Sequence, residues 1–526
     1  MKFFNTAGPV NRQKHYKLDP LTRWDLDKIL SLIDQEKYFI LHAPRQTGKT
    51  SCLLALQNYL NSEDEYHCVY ANFESGQSAR NDINTGIEII LSELHASVQA
   101  SLTTNVPFSD TTVLADAPAG NGLNIYLRKL CQWLDKPLIL LIDEIDALVG
   151  DTLISVLRQL RSGYTNRPEL FPQAIILCGV RDIKDYRIHC GDNDIITGGS
   201  CFNIKAESLV LGNFSENEVR QLYNEHTKAT GQKFTDDCFP LLMRYTAGQP
   251  WLINALGNEV TFEMQENRDR SIVITPKLIE IAKEQLIISR ATHLDQLTDK
   301  LKEERVRRVI EPLLVGGMTE AIEDDIEYCI DLGLVSNSPR GIIISNEIYR
   351  EILPRELSKI TQSKFLSLFT PDWINADQSI NSDKLFSMFQ QFWRENSEIW
   401  QENMAGYQEA APHLTFQAFL QRVANGNGFI AREFAYGTKR ADLMLKWRHP
   451  GGEQRIVIEL KILRKGDNYE TLKQLALKQT AMYADKCNAS ESHIVIFDRD
   501  NITNWHDKIF TDSGNHNGCQ IKIWGM

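Results

Sequence analysis

A short loop between an apolar strand and a helix start carries residues suited to phosphate binding. The stretch KYFILHAPRQTGKT, from Lys37 to Thr50, offers a small residue, four spacers and then Gly-Lys-Thr. Backbone N–H groups of such a loop converge on a β-phosphate, while the lysine reaches the β/γ oxygens and the threonine hydroxyl ligates Mg²⁺. We therefore predict an ATP site with Mg²⁺ beside it. The expected nucleotide contacts are Ala43, Pro44, Arg45, Gln46, Thr47, Gly48, Lys49, Thr50 and Ser51.

A second stretch, KPLILLIDEIDAL, has the pattern of the strand that completes such a site. Its apolar run from Leu138 to Ile142 ends in Asp143 and Glu144. A parallel strand buried on both faces needs a continuous apolar run, and nucleotide sites lie at the carboxyl ends of such strands. Asp143 is expected to hold Mg²⁺ through water and Glu144 to polarise the attacking water. Either motif alone also fits a core strand with an acidic turn; both in order favour an ATPase.

Several arginines are candidates for sensing the γ-phosphate. The apolar strand AIILCGVRD ends with Arg181, which we expect near the γ-phosphate. Arg158 and Arg161 lie on the preceding helix and are also candidates for stabilising transition-state charge. Arg161 or Arg167 of another copy of the chain could also supply an arginine finger, so a homo-oligomer is one of the hypotheses. Each arginine by itself is more readily explained as a partner in a structural ion pair.

The length and composition of the chain predict a large soluble protein. At 526 residues the chain has room for about three to four domains. Hydrophobic residues make up 42% and charged residues 24%, the net charge is −12, and neither a signal peptide nor an 18-residue apolar run is present. Ten scattered cysteines show no zinc-binding spacing. We expect a cytoplasmic protein with no membrane association, whose acidity argues against generic nucleic-acid affinity but not against a local basic groove.

The middle of the chain has a helical pattern. Ser215 and Glu218 form a capping box before one helix, and AGQPWLINAL sets Pro250 inside a helical region. Residues 323–352 have the order of a winged-helix domain, in which the helix EDDIEYCIDL is too acidic to favour DNA contact. The basic residues of 296–312 fit a solvated face better than a DNA contact.

Two resemblances to known families follow from these strings. AGQPWLINAL resembles the Gly-x-Pro motif of the signalling-type (STAND-like) and origin-recognition-like branch of AAA+ ATPases, which implies that Pro250 couples nucleotide state to a lid. The strands RADLMLKW and RIVIELKIL place Glu459 and Lys461 on one face, after Asp442, and resemble the PD-(D/E)XK nuclease superfamily. Two carboxylates there suit Mg²⁺, with Mn²⁺ as an alternative, and Lys461 is placed to position water or neutralise a phosphorane. An apolar-Glu-apolar-Lys strand is otherwise common.

Two further matches extend the nuclease resemblance. Glu409 opens the preceding helix, where that family often places an acidic residue. Gln479 and Tyr483 have the Q-x-x-x-Y spacing of its RecB-like branch, which a helix presents on one face. The predicted metal ligands are Thr50 and Asp143 in one site and Asp442 and Glu459 in the other.

The whole chain resembles bacterial AAA-like ATPases fused to a PD-(D/E)XK nuclease-like domain. The implied α/β fold has an N-terminal P-loop AAA+ parallel sheet with a helical lid and a winged-helix domain, followed by a nuclease-like α/β domain. The predicted boundaries are 1–212 for the ATPase core, 213–292 for the lid, 293–370 for the winged helix, 371–405 for a linker with an aromatic helix, and 406–526 for the nuclease-like domain.

Three functions compete on this pattern. The leading one is an ATP-regulated, Mg²⁺-dependent nuclease acting on nucleic acid, expected to be DNA, in a role suited to defence against foreign DNA. A signalling or scaffold ATPase whose nuclease-like domain only binds nucleic acid or a partner is the second. A DNA-translocating motor fits less well because helicase motifs are absent.

Overall fold

The computed structural model describes residues 2–102, 106–109, 112–113, 120–182, 187–190, 194–197, 202–289, 300–314, 321–339, 341–357, 373–395, 412, 416–417, 419–420, 428–435, 440–463, 466–498 and 504–526. The chain divides into two compact units. The first comprises Met1–His293, Glu323–Ser336 and Ser345–Ile348, and the second comprises Leu294–Ile322, Asn337–Ile344 and Tyr349–Met526.

A parallel sheet forms the centre of the first unit. The strands that precede its helical part are β1 (Tyr38–His42), β2 (His67–Asn72), β3 (Leu138–Asp143), β4 (Ala174–Gly179), β5 (Arg187–Cys190), β6 (Asp194–Thr197) and β7 (Lys205–Val210). Five of them pair in the order β2-β3-β4-β1-β7, whereas β5 and β6 form a separate antiparallel pair. Every residue of β3 and β4 is buried, which explains the uninterrupted apolar runs in their sequences.

Helices cover both faces of this sheet. They are α1 (Leu26–Asp34), α2 (Lys49–Glu63), α3 (Ile83–Ser101), α4 (Gly122–Trp133) and α5 (Gly150–Ser162). Alternate strand residues face opposite layers, so Leu140 packs with α3, α4 and α5 while Leu141 packs with α1 and α2. This three-layer core holds the carboxyl ends of β1, β3 and β4 at one edge.

The helical part of the first unit follows β7. It contains α6 (Glu216–Thr230), α7 (Cys238–Thr246), α8 (Pro250–Asn258) and α9 (Pro276–Ser289). The predicted capping box is confirmed, because the Ser215 side chain accepts from the Glu218 backbone and the Glu218 side chain accepts from the Ser215 backbone. Pro250 is the first residue of α8, a position where the missing N–H costs nothing.

The elements of residues 300–357 occur in the order predicted for a winged-helix domain. They are α10 (Glu304–Leu314), α11 (Glu323–Asp331), β8 (Val335–Ser338), β9 (Gly341–Ile344) and α12 (Glu347–Leu357). Gly333 ends α11 with φ +75°, and its N–H donates to the Ile330 carbonyl. Helix α11 belongs to the first compact unit, whereas α10 belongs to the second.

A six-stranded mixed sheet forms the centre of the second unit. Its elements are α13 (Ser382–Glu395), β10 (Gly428–Ala435), β11 (Arg440–His449), β12 (Gly452–Leu463), α14 (Tyr469–Cys487), β13 (Glu491–Asp498), α15 (Trp505–Lys508), β14 (Thr511–His516) and β15 (Cys519–Gly525). The strand order is β10-β11-β12-β13-β15-β14. Strands β12, β13 and β15 run parallel, and the remaining neighbours are antiparallel.

Strands β15 and β14 continue this sheet beyond β13. Every second residue of β14 is exposed, and its sequence, TDSGNH, is polar. Since strand prediction relies on apolar alternation, such an edge strand gives a weak signal.

Opposite faces of the second sheet carry different layers. The aromatic stripe of α13, with Phe386 and Phe389 fully buried, packs against Ile458 and Phe497 on one face. Helix α14 covers the other face. The aromatic stripe therefore serves packing, and α13 lies in the core of the second unit.

Two further features concern the described part of the chain. None of its helices combines the length and the apolarity needed to cross a membrane. Among its cysteines, Cys52 and Cys178 are free thiols and are buried.

Candidate functional site

The phosphate-loop geometry predicted from the sequence is present at the end of β1. The loop runs from Ala43 to Gly48, and α2 begins at Lys49. Gly48 has φ +96°, and a Cβ there would lie 2.9 Å from Nη1 of Arg23, so a larger residue meets both strain and crowding. Ala43 has a negative φ and is buried, which explains why alanine replaces the usual glycine.

The lysine of the loop is held by backbone oxygens. Lys49 is buried, and its Nζ donates to the carbonyl of Ala43 at 2.9 Å and to that of Pro44 at 3.1 Å. The Ala43 N–H donates in turn to the Gly179 carbonyl of β4 at 3.3 Å. An ammonium group satisfied only by neutral carbonyls has no counter-charge from these partners, so the position suits an anionic phosphate.

The two predicted Mg²⁺-site residues are in direct contact. Thr50 Oγ1 donates to Oδ2 of Asp143 at 2.7 Å, and the Tyr70 hydroxyl donates to the same oxygen at 3.0 Å. The Glu144 backbone N–H donates to Oδ1 of Asp143 at 3.0 Å, and Asp143 is fully buried. A hydroxyl and a carboxylate held together beside a phosphate loop are the donor set that Mg²⁺ takes in such sites, so these residues fit the ion.

Glu144 stands at the start of the next turn with a left-handed backbone, φ +54°. Burial raises the pKa of its carboxyl, and the nearby Asp146 and Asp143 carboxylates raise it further. A carboxylate with a raised pKa is a stronger base, which suits the predicted role of polarising water.

The candidate arginines have different surroundings. Arg181 donates through Nε to Asp331 at 3.2 Å and lies 4.8 Å from the Tyr328 ring centroid. Arg167 donates to the Tyr164 and Glu36 carbonyls and stacks on Tyr164 at 3.4 Å, so its guanidinium has a structural role within its own unit. Arg158 and Arg161 lie exposed on α5.

Two residues near the loop were missed in the sequence. Arg23 donates to the carbonyls of Thr47 and Gly212 and lies 4.6 Å from the Phe214 ring centroid, so it links the loop to the start of the helical part. Tyr70 lies on β2, two residues from that strand's end. Neither belongs to a spacing motif, and only the position of Tyr70 near a carboxyl strand end could have pointed to it.

The predicted lid motif, with Gly248 and Pro250, lies at the start of α8 and contacts the residues that precede α6. The Phe214 N–H donates to the Gly248 carbonyl at 2.8 Å, and Gly248 has φ +72° with its Cα against the Phe214 carbonyl. Pro250 is buried at the start of α8. Its coupling role stays a prediction.

In the second unit, Glu459 and Lys461 share one face of β12, as predicted, and α14 covers that face. Lys461 Nζ lies 2.7 Å from Oε1 of Glu459, whose side chain is 3% exposed. Val457, two residues earlier on the strand, packs with Met444, Tyr483 and Cys487. The pair therefore lies in the layer between the sheet and α14.

The second predicted carboxylate belongs to the neighbouring strand. Strands β11 and β12 pair with Leu443 opposite Ile458. Asp442 precedes Leu443 on β11, and we predict that it lies opposite Glu459. Directly opposite positions of an antiparallel pair share a face of the sheet. The Asp442 side chain and all of Glu409 lie outside the described structure, so their part in the site stays a prediction.

Helix α14 brings the remaining predicted pair to the same layer. Tyr483 is buried in the cluster with Met444 and Val457. One turn earlier, Oε1 of Gln479 is buried and accepts no hydrogen bond from the described residues. A buried amide oxygen of this kind is costly unless a ligand or water satisfies it.

Within the part of the chain that the structure describes, no cluster of three or more His, Cys, Asp or Glu residues could hold a metal. A two-carboxylate site such as Asp442 with Glu459 falls below that number.

Comparison with known proteins agrees with the first unit. A P-loop ATPase fold with the phosphate loop, Thr50 and Asp143 in contact defines the class as a P-loop nucleotide-binding protein. The AAA-like domain family matches residues 27–355, more than half of the chain, and the chain belongs to that family. None of the curated protein sequences matches it.

Solved structures that match part of this chain include a Walker-type ATPase of Pyrococcus abyssi, at 13% identity and a TM-score of 0.45, covering 66% of this chain and 99% of that one. The RuvB Holliday junction branch migration motor of Thermotoga maritima has 13% identity and a TM-score of 0.33, covering 62% and 93%. Cdc6p of Pyrobaculum aerophilum has 15% identity and a TM-score of 0.36, covering 65% and 93%.

Proposed function

We propose that the chain is an ATP-regulated, Mg²⁺-dependent DNA nuclease, in which the AAA-like half binds and hydrolyses ATP and the C-terminal half, as a PD-(D/E)XK nuclease-like domain, cleaves phosphodiester bonds. The observation that carries the second activity is the Lys461–Glu459 pair in the layer beneath α14. We assign the Asp442 carboxylate to the same site, where an ammonium and two carboxylates would match the donor set of a metal-dependent nuclease.

The residues of the first site divide the work of ATP hydrolysis. Lys49 exchanges the carbonyls of Ala43 and Pro44 for phosphate oxygens, because a charged acceptor binds an ammonium more strongly than a neutral one. Asp143 holds the Thr50 hydroxyl in place, and bound Mg²⁺ would neutralise phosphate charge there. Glu144 takes a proton from the attacking water, and its raised pKa strengthens that role.

The residues of the second site act on a phosphodiester. Glu459 and Asp442 would hold a divalent cation, Mg²⁺ or Mn²⁺, which would act there as a Lewis acid. Lys461 positions the attacking water or stabilises the negative charge that develops on phosphate. Gln479 and Tyr483 orient the substrate or the carboxylates from α14, and Glu409 adds a further carboxylate.

A set of variants tests the two activities separately. We expect Lys49→Ala to abolish ATP hydrolysis, and Asp442→Ala and Lys461→Ala to abolish DNA cleavage while ATP hydrolysis continues. Cleavage that persists in both of the latter variants would overturn the nuclease proposal without touching the ATPase proposal.

A second candidate is a signalling or scaffold ATPase whose C-terminal domain binds nucleic acid or a protein partner without cutting it. The ion pair between Lys461 and Glu459 supports this scaffold function, because a carboxylate paired with a lysine can have a purely structural role. Mn²⁺ binding to the full chain, compared with Glu459→Gln, separates the two: binding that depends on Glu459 supports the nuclease, and none supports the scaffold.

The remaining predictions form part of the proposal. Arg181 and the lid residue Pro250 sense nucleotide state, and an arginine finger in a homo-oligomer comes from Arg161 or Arg167 of a neighbouring copy. We keep the domain boundaries predicted from the sequence, except that α13 belongs to the C-terminal domain because it packs in that domain's core. Cleavage of foreign DNA in the cytoplasm is the role that an ATP-controlled nuclease would serve.

A further inference from the structure

The C-terminal end of α11 holds the arginine that the ATPase proposal assigns to γ-phosphate sensing. Asp331 lies 3.2 Å from Arg181 through Oδ2, and its Oδ1 lies 3.9 Å from Nδ1 of His42. The Arg181 guanidinium also lies 4.8 Å from the Tyr328 ring centroid. The Arg181 and Asp331 side chains are 15% and 14% exposed, so water screens the ion pair only weakly. Helix α11 therefore contacts Arg181 with both a carboxylate and an aromatic ring.

The same end of α11 rests on the phosphate loop. A Cβ built on Gly333 would lie 2.9 Å from Cβ of Pro44, the second residue of the loop. Strand β4 lies beside β1 in the sheet, and its last residue, Gly179, accepts a hydrogen bond from the Ala43 N–H at 3.3 Å. Arg181 follows Gly179 by two residues, so the guanidinium and the loop meet at one edge of the sheet.

We propose that Asp331 takes the place of a γ-phosphate as the anionic partner of Arg181, so that ATP and α11 compete for this guanidinium. The inference rests on the proposed ATP site and adds its regulation. A guanidinium stays charged in proteins and requires an anion when it is largely buried. A γ-phosphate offers more negative charge and more acceptor oxygens than a carboxylate. ATP displaces Asp331 and frees the end of α11 from the loop, whereas ADP leaves the ion pair intact.

The competition gives Asp331 a role in discriminating between ATP and ADP. ATP must break the Arg181–Asp331 ion pair to bind, so by linkage the ion pair lowers the affinity for ATP. ADP leaves the ion pair intact, so the affinity for ADP is not lowered. Removing the carboxylate charge therefore strengthens ATP binding selectively. Because α11 lies in the acidic segment of the predicted winged helix, the same competition would pass nucleotide state to that region.

Displacement of a fluorescent ADP analogue from the full chain, in the presence of Mg²⁺, measures this discrimination. We expect Asp331→Asn to raise the affinity for ATPγS relative to ADP by about tenfold, within the range of typical allosteric couplings. Glu327→Gln, which removes a charge from the exposed side of the same helix, is expected to leave the ratio unchanged. In an Arg181→Met background, Asp331→Asn should have no effect on the ratio.

The competition would be overturned if Asp331→Asn left the ratio of ATPγS to ADP affinity unchanged. It would also be overturned if Glu327→Gln changed this ratio as much as Asp331→Asn does, or if Asp331→Asn had the same effect in the Arg181→Met background. If the wild-type chain binds nucleotide through Lys49 and the ratio still does not move, the ATP site stands and only the competition fails. Hydrogen exchange of the wild-type chain gives a test without variants. ATPγS should speed exchange at the Gly333 and Leu334 amides relative to ADP, and equal exchange would overturn the proposal.

Discussion

Replacing Lys461 by methionine tests whether the layer beneath α14 is built around a buried charge pair. The substitution keeps the aliphatic stem but removes the ammonium, which leaves the Glu459 carboxylate, 3% exposed, without its positive partner at 2.7 Å. Breaking one side of a buried ion pair costs about 3–5 kcal/mol, and we expect about 3 kcal/mol because Lys461 is 19% exposed. At roughly 2–4 °C per kcal/mol, Tm of the second unit should fall by roughly 6–12 °C.

The assay is scanning calorimetry of the full chain, with a matched control on the same strand. Arg455 and Glu453 have the same spacing on β12, but their side chains are 41% and 31% exposed, so Arg455→Met should cost only about 1 kcal/mol. Adding Mn²⁺ should raise Tm of Lys461→Met more than Tm of the wild type, because a cation replaces the lost charge. A cost for Lys461→Met no larger than the control's would refute the buried pair, and with it the reasoning on the layer.

Four further outcomes follow from the structure. Glu144→Gln should keep ATP binding but lower the ATPase kcat by at least about 100-fold in a steady-state assay, as expected for a lost general base. The wild-type ATPase rate should fall with acidity at a higher pH than for an ordinary glutamate, because the Glu144 pKa is raised. Burial raises the pKa of the Glu311 carboxyl from 4.5 to about 7, so the folded state binds the carboxyl proton more tightly than the unfolded state does. The free energy of unfolding should therefore fall by about 3 kcal/mol as pH rises from 4.5 to about 7. Glu311→Gln should reduce this pH dependence, measured by calorimetry from about pH 5 to 8. Phe389→Ala should cost about 3–5 kcal/mol in the second unit, and a loss below 1 kcal/mol would contradict its place in the core.

The nucleotide half could be predicted from the sequence because its signals are local. The spacing of Gly48, Lys49 and Thr50 fixes a loop and a helix start, and the apolar run before Asp143 fixes a buried strand. Contacts between distant segments leave no such pattern. Asp331 lies 150 residues after Arg181, and Arg23 reaches Thr47 and Gly212 from a segment without any motif. These contacts depend on how the elements pack, which periodicity does not encode.

In the second unit, alternation along β12 correctly placed Glu459 and Lys461 on one face, and helical spacing placed Gln479 and Tyr483 together. Strand β14 has no reliable sequence signal, because an exposed edge strand does not need apolar alternation. It also did not show that α13 packs on the same sheet. That contact joins the aromatic stripe of α13 to strands more than 50 residues later in the chain, and only the fold specifies it.

The most direct test of the central claim is DNA cleavage by the purified full chain with Mg²⁺, measured with and without ATP for the wild type, Lys49→Ala and Glu459→Gln. We predict that the wild type cleaves DNA in an ATP-dependent manner. Lys49→Ala should lose both ATP hydrolysis and the ATP response, and Glu459→Gln should hydrolyse ATP without cutting. Cleavage by Glu459→Gln at the wild-type rate, or wild-type cleavage that is the same with and without ATP, would contradict an ATP-controlled nuclease.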